Sequence, residues 1–309
     1  MDRRRPLTAL LSLALISATG SDSLPIREAR WIAPEARVEM LSSYPRLCVV
    51  NPEGLALSDL AIGFAAFRDP LLLGGQAARA GISCASCHRG GRGNPAFVFP
   101  GVSGAAGTAD VTSSLMSSHR GDNIFNPKPI PDLTFDSPKV ARTDPGTLKA
   151  FIRGLIVDEF DGAEPPERVL SGLADAIRAL DAKACDPEDA TAIEADIEFY
   201  VFSVGATKTA LRLKDRDTAI AMLRAMRSAL ALIAERYPPE MSDSLSASDR
   251  EIAQIQQSLR DGAAMATVLA KIDAYIVRAD WTGTIHSIRD RSLYNPERLA
   301  AALSATRTP

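Results

Sequence analysis

Residues 81–91 read Gly-Ile-Ser-Cys-Ala-Ser-Cys-His-Arg-Gly-Gly. Cys84, Cys87 and His88 therefore form C-x-x-C-H, the pattern of covalent c-type haem attachment. The reason is geometric. Two thiols three residues apart on a helical turn share a face, from which they can add to the two haem vinyl groups. The imidazole next in the chain then falls beneath the iron as proximal ligand. A thioredoxin-like C-x-x-C would need a βαβ context, which the surrounding pattern lacks. A zinc site would need a second ligand pair, and no other Cys or His pair has the spacing.

A sixth iron ligand would come from further along the chain. After His88 the only histidines are His119 and His286. Met116 and His119 share the stretch Leu-Met-Ser-Ser-His-Arg, inside a long irregular segment that should wrap the haem. A Met ligand raises the reduction potential and suits electron transfer. A His ligand would lower it, and an open site would permit peroxide or small-gas chemistry. Both Met116 and His119 stay open as the sixth ligand, and Met222 and Met226 read as core on a helix stripe. Cys48 and Cys185 bracket the haem region, and a disulfide between them would clasp its ends.

These residues sit in a chain of 309, with 35 Lys+Arg against 38 Asp+Glu and a formal net charge of −3. Apolar residues make up 46%, enough to argue against disorder. Four cysteines in this length exclude a disulfide-built scaffold and limit the chain to one covalent haem. The acidic balance, without a long Lys/Arg run, argues against nucleic acid as a partner. Arg3, Arg4 and Arg5 precede a short apolar run over residues 7–16, and Ala18 and Gly20 suit a cut before Ser21. That layout is a secretory signal peptide, too short for a transmembrane anchor. Its removal takes away three Arg and one Asp, moving the charge from −3 to −5. The mature protein is expected in the periplasm.

The pattern divides the chain into a signal peptide (1–20), an irregular lead-in (21–55), a cytochrome c-like haem domain (56–185) and a helical domain (186–309). Ser58 reads as the cap of a helix with Leu60, Phe64 and Phe67 on one face, stopped by Asp69-Pro70. Residues 89–131 are rich in Gly, Ser, Asn and Pro. Asp144-Pro145 opens a helix with Leu148, Phe151, Ile152, Leu155 and Ile156 on one side. Pro165-Pro166 opens another with Val169, Leu173, Ile177 and Leu180. Beyond these, Ile220, Leu223, Met226, Leu230, Ile233 and Tyr237 form a stripe. Ser248 and Glu251 read as a capping box before Ile252, Ile255 and Leu259. Met265, Val268, Leu269, Ile272 and Ile276 continue the theme, and Asn295-Pro296 caps a last helix with Leu299 and Leu303. No strand-type alternation stands out. The expectation is an all-α protein: a c-type cytochrome domain with a long haem-wrapping loop, then a C-terminal helical bundle.

Phe67-Arg68-Asp69-Pro70-Leu71 followed by Gly81-Ile82-Ser83-Cys84-Ala85-Ser86-Cys87-His88 resembles a haem half of the bacterial di-haem cytochrome c peroxidases and MauG-type enzymes. Ile130-Pro131-Asp132-Leu133 is similar to their "TPxL" segment, Thr147-Leu148 to the start of the following helix, and residues 169–180 to their closing helix. The resemblance covers roughly residues 56–183 and implies a periplasmic cytochrome c fold, peroxide reduction and two covalent haems. This chain departs from it in three ways. It has one C-x-x-C-H, no His between Arg89 and Ser118, and Lys149 and Ala150 where the family places an acidic pair. A carboxylate there would move protons during O–O cleavage. Asp158 and Glu159 are the nearest acidic substitutes, and a solvated helix end is the plainer reading of them. The expected activity is single-haem electron transfer with a redox partner protein. The alternatives are a MauG-type peroxidase or oxidase acting with a partner, and a haem-containing interaction or maturation module.

Overall fold

The computed structural model describes residues 24–50, 57–112, 115–119, 121–135, 141–184, 189–279 and 281–305, with the side chains of Ser58, Thr282 and Thr284 set aside. The expected signal segment (1–20) lies outside these residues, as does Cys185. The fold is mostly helical. Twelve α-helices are described: α1 (Arg37–Ser42), α2 (Leu57–Arg68), α3 (Gly75–Ala80), α4 (Cys84–Cys87), α5 (Pro145–Gly154), α6 (Glu167–Ala179), α7 (Ala192–Arg212), α8 (Arg216–Ala234), α9 (Pro239–Arg260), α10 (Met265–Arg278), α11 (Trp281–Ser287) and α12 (Pro296–Ala305). Strand structure among the described residues is two antiparallel pairings of two residues each. Ser43–Tyr44 (β1) pairs with Ala190–Thr191 (β4), and Thr108–Ala109 (β2) with Lys128–Pro129 (β3).

Local chemistry accounts for most helix ends. The Asp144 carboxylate accepts from Gly146 and Thr147 N–H and starts α5. Thr191 and Glu194 form a capping box on α7. Asn295 accepts from Glu297 and Arg298 N–H ahead of α12. Leu60, Phe64 and Phe67 are all buried on α2, which opens at Leu57, one residue before the expected cap. The capping box expected at Ser248 is not a helix start, because α9 begins at Pro239 and runs through it. Met241 and Leu245 are buried one turn apart and carry the stripe into Ile252, Ile255 and Leu259. Tertiary burial overrides the weak helix preference of the Ser/Asp-rich stretch.

One apolar cluster runs from Ile62 on α2 to Tyr294 ahead of α12 and joins helices of both expected domains. Helices α2 and α6 meet where Gly63 and Gly172 oppose one another; a Cβ on Gly63 would lie 1.9 Å from the Gly172 carbonyl oxygen. The three-residue link 213–215, with Lys214 at φ 59°, turns α8 back along α7. The lead-in is more ordered than its sequence reads. Two 3-10 turns (Arg27–Trp31 and Pro34–Ala36) and α1 bury Ile26, Ala29, Ile32 and Leu41 against Leu299 and Leu303 of α12. The first described segment therefore packs on the last.

Candidate haem-attachment site

Helix α4 is a single turn that holds Cys84 and Cys87. Ser83 N–H donates to Ser86 Oγ at 3.1 Å at its start. At its end His88 N–H donates to the Cys84 carbonyl at 2.8 Å, and the chain then leaves helical geometry at His88. Gly81 ends α3 with φ 74°, a left-handed conformation that glycine adopts without strain, and sets the corner before the motif. Asn94 donates its side-chain amide to the Ser86 carbonyl at 2.8 Å, tying the outgoing loop to the turn. Cys84 and Cys87 are half-buried free thiols packed against the main apolar cluster. Burial pushes both thiols up to about 12.

His88 is held by a residue far away in sequence. Its Nδ1 lies 3.0 Å from the Pro131 carbonyl oxygen. A carbonyl can only accept, so Nδ1 carries the proton and Nε2 is bare. Burial lowers the His88 pKa to about 4 and keeps the ring neutral, against an opposing pull from the Pro131 hydrogen bond. A neutral imidazole oriented through one nitrogen onto a backbone carbonyl is the usual arrangement of a metal-ligating histidine.

Pro131 reaches His88 because the irregular segment doubles back. The β2–β3 pairing brings residues 128–129 beside residues 108–109. Ile130 N–H donates to the Gly107 carbonyl and Leu133 N–H to the Gly91 carbonyl, both at 3.0 Å. Arg142 then donates to the carbonyls of Thr134, Ile177, Arg178 and Leu180, binding the end of the loop to the end of α6. From the other side Trp31 donates to the Ala80 carbonyl at 2.9 Å and stacks on Phe99 at 4.4 Å.

The two candidate sixth ligands sit in different surroundings. Met116 is 2% exposed and belongs to the cluster against which Cys84 and Cys87 pack, together with Phe97, Phe99, Leu148 and Ile152. His119 is a surface side chain, 66% exposed, with Nδ1 at 2.8 Å from Asp161 Oδ1. Two clasps flank Met116's loop. Ser117 donates to the Asp158 carbonyl at 2.6 Å, and Ser118 donates to the Asp161 carboxylate from both its N–H and its hydroxyl. Burial alone would raise the Asp161 pKa, but the Ser118 and His119 hydrogen bonds outweigh it and the net shift is downward. Asp158 ends, with Glu159, a π-helical turn (Leu155–Glu159) that continues α5. Glu159 is buried, not solvated. Lys149 pairs with Glu167, and Ala150 is exposed.

Cys48 is disulfide-bonded and 2% exposed. Its carbonyl accepts from Asp181 N–H at 2.8 Å, so its segment runs beside residues 179–181. The expected partner, Cys185, lies outside the described residues.

Sequence reasoning passed over three residues of this region. Pro131 carried a signal only through its family-like segment. Arg89, buried behind the motif, donates to Glu28 and to the Met40 and Ser43 carbonyls and lies over the Tyr44 ring. Asp69, read as a helix stop, is a buried hub that accepts from Leu71 N–H, Arg224 Nε and Ser228 Oγ. His286 lies on α11. Among the described residues no three His, Cys, Asp or Glu side chains gather as a metal-ion cage, and no helix is long and apolar enough to cross a membrane.

No protein-family model, curated protein or solved structure matches this chain significantly.

Proposed function

We propose that this protein is an exported single-haem c-type cytochrome that carries electrons to or from a partner protein. The observation that carries the reading is the His88–Pro131 hydrogen bond, which leaves Nε2 of a neutral imidazole as a ligand beside the two free thiols of one turn. Cys84 and Cys87 would hold the haem through thioethers, His88 would be the proximal ligand, and Met116 is the better-placed sixth ligand. Bound haem supplies one-electron chemistry at the iron.

The chain's own residues set the conditions for that chemistry. His88 donates its Nδ1 proton to Pro131, which fixes the ring's orientation and tautomer. Phe97, Phe99, Met116, Leu148 and Ile152 are buried in the apolar cluster against which Cys84 and Cys87 pack. The Ser117 and Ser118 clasps hold the loop so that the Met116 thioether stays among these side chains. A second reading, a MauG-type peroxidase or oxidase working with a partner, draws on Glu159, a buried carboxylate at the end of a π-helical turn. The Lys149 and Ala150 positions favour the first.

Optical spectra of the purified exported protein separate the two. Low-spin ferric iron with a Met–iron charge-transfer band is the expected result. High-spin ferric iron that turns over peroxide would replace electron transfer with the enzyme reading.

A further inference from the structure

A cavity of about 290 Å³ lies on the reverse face of the haem-attachment turn, away from the two thiols. Ala85 and Ser86 line it together with residues of α8. Four arginines line it: Arg27, Arg68, Arg224 and Arg227. Each is anchored by a carboxylate, respectively Glu235, Asp196, Asp69 and Asp249. Anchoring fixes the side chains in place, so little rotamer entropy remains to be lost when a ligand arrives.

Arg227 is engaged through all three nitrogens with Asp249 and Gln256, and Arg68 through both terminal ones with Ala195 and Asp196, but the other two keep donors. Arg224 contacts Asp69 through Nε alone, so among the described residues its two terminal nitrogens are unspent. Arg27 likewise uses Nε and one terminal nitrogen. Two acids also line the cavity, Glu28 and Asp249. Glu28 is paired with the buried Arg89 at 2.9 Å, and Asp249 with Arg227 at 2.8 Å. Neither is a free charge that would repel an anion. Leu71, Ala231 and Leu232 add an apolar strip. Guanidinium groups with spare paired donors recognise planar or tetrahedral oxyanions. The volume holds about ten non-hydrogen atoms, at roughly 30 Å³ per water-sized atom.

We infer that this cavity is a binding site for a small oxyanion, of the size of phosphate or a short dicarboxylate, with Arg224 as its principal contact and Arg27 beside it. The inference stands apart from the proposed haem chemistry, since no donor in it comes from Cys84, Cys87 or His88.

Calorimetric titration of the purified protein with inorganic phosphate, and separately with succinate, tests it. The site predicts saturable one-to-one binding of at least one of the two. The stronger of the two identifies which oxyanion the cavity prefers. Arg224→Gln with Arg27→Gln should weaken that binding at least tenfold while the circular dichroism spectrum stays unchanged. If the double variant does not fold, Arg27→Gln alone, whose ion pair with Glu235 is part-exposed, should weaken binding at least threefold. No saturable binding of either anion, or wild-type affinity in a folded variant, overturns the inference. Binding by protein that carries no haem would uphold the site and count only against the function proposed above.

Discussion

The Pro131 carbonyl oxygen accepts a hydrogen bond from Nδ1 of His88 at 3.0 Å, across 43 residues of chain. Three features bring the two together: the β2–β3 pairing, the returns onto Gly107 and Gly91, and, beyond Pro131, the Arg142 tie to α6. A long loop with little regular structure is costly to order unless it is packed on something. Here it packs on the motif and on the lead-in through Trp31.

Met116→Ala should convert a low-spin ferric spectrum to a high-spin one and abolish the Met–iron band. His119→Ala should leave both unchanged, because its ring is engaged at the surface with Asp161. Spectra of the two variants side by side decide between the candidates. A spectrum altered by His119→Ala and untouched by Met116→Ala would reverse the assignment.

Asp161→Ala removes the acceptor for Ser118 and His119 and loosens the loop that presents Met116. Hydrogen bonds to a charged group contribute about 1.5–3 kcal/mol, and Asp161 is part-exposed, so a loss of about 1–2 kcal/mol in denaturant unfolding is expected. The high-spin fraction should rise with it. Full stability together with an unchanged spectrum would show that the clasp does not hold the ligand.

Gly63→Ala places a methyl group on the Gly172 carbonyl, where no room exists. The helices must part, at a cost of about 3 kcal/mol. Urea unfolding of the variant checks this, and a loss below about 1 kcal/mol would mean that α2 and α6 do not approach as closely as described.

Parts of the fold and of the site differ in how far the sequence foretells them. The Cys84–His88 turn, the Asp144 cap and the buried faces of α2 and α8 follow from local spacing, because a single turn or a helix period decides them. Pro131, Asp69 and the Gly63–Gly172 crossing do not, since each depends on which distant residue arrives opposite. Asp69-Pro70 reads correctly as a helix stop, yet nothing local says that its carboxylate meets Arg224 and Ser228. Ser248 fails for a related reason: Met241 and Leu245 gain their burial only from the rest of the bundle.

Burial holds the Tyr237 phenol up at about 12 and raises Tyr200 and Tyr294 further. An unfolded tyrosine ionises near about 10. The folded pKa lies above the unfolded one, so the fold favours the neutral phenol. Its contribution is complete below about pH 10 and is lost as pH climbs toward the folded value. Thermal unfolding should hold steady from this source up to about pH 9, then lose at least about 5 °C by about pH 11. Phenolate absorbance rising near pH 10 with no loss of Tm would contradict buried phenols.

The electron-transfer proposal rests on covalent haem held by Cys84 and Cys87 with His88 beneath the iron. Intact mass and a pyridine haemochrome spectrum of protein exported in a host with c-type maturation test it most directly. One haem per chain is expected, retained on denaturation and lost in the double variant Cys84→Ala, Cys87→Ala. Exported, folded protein with the unmodified polypeptide mass would contradict it.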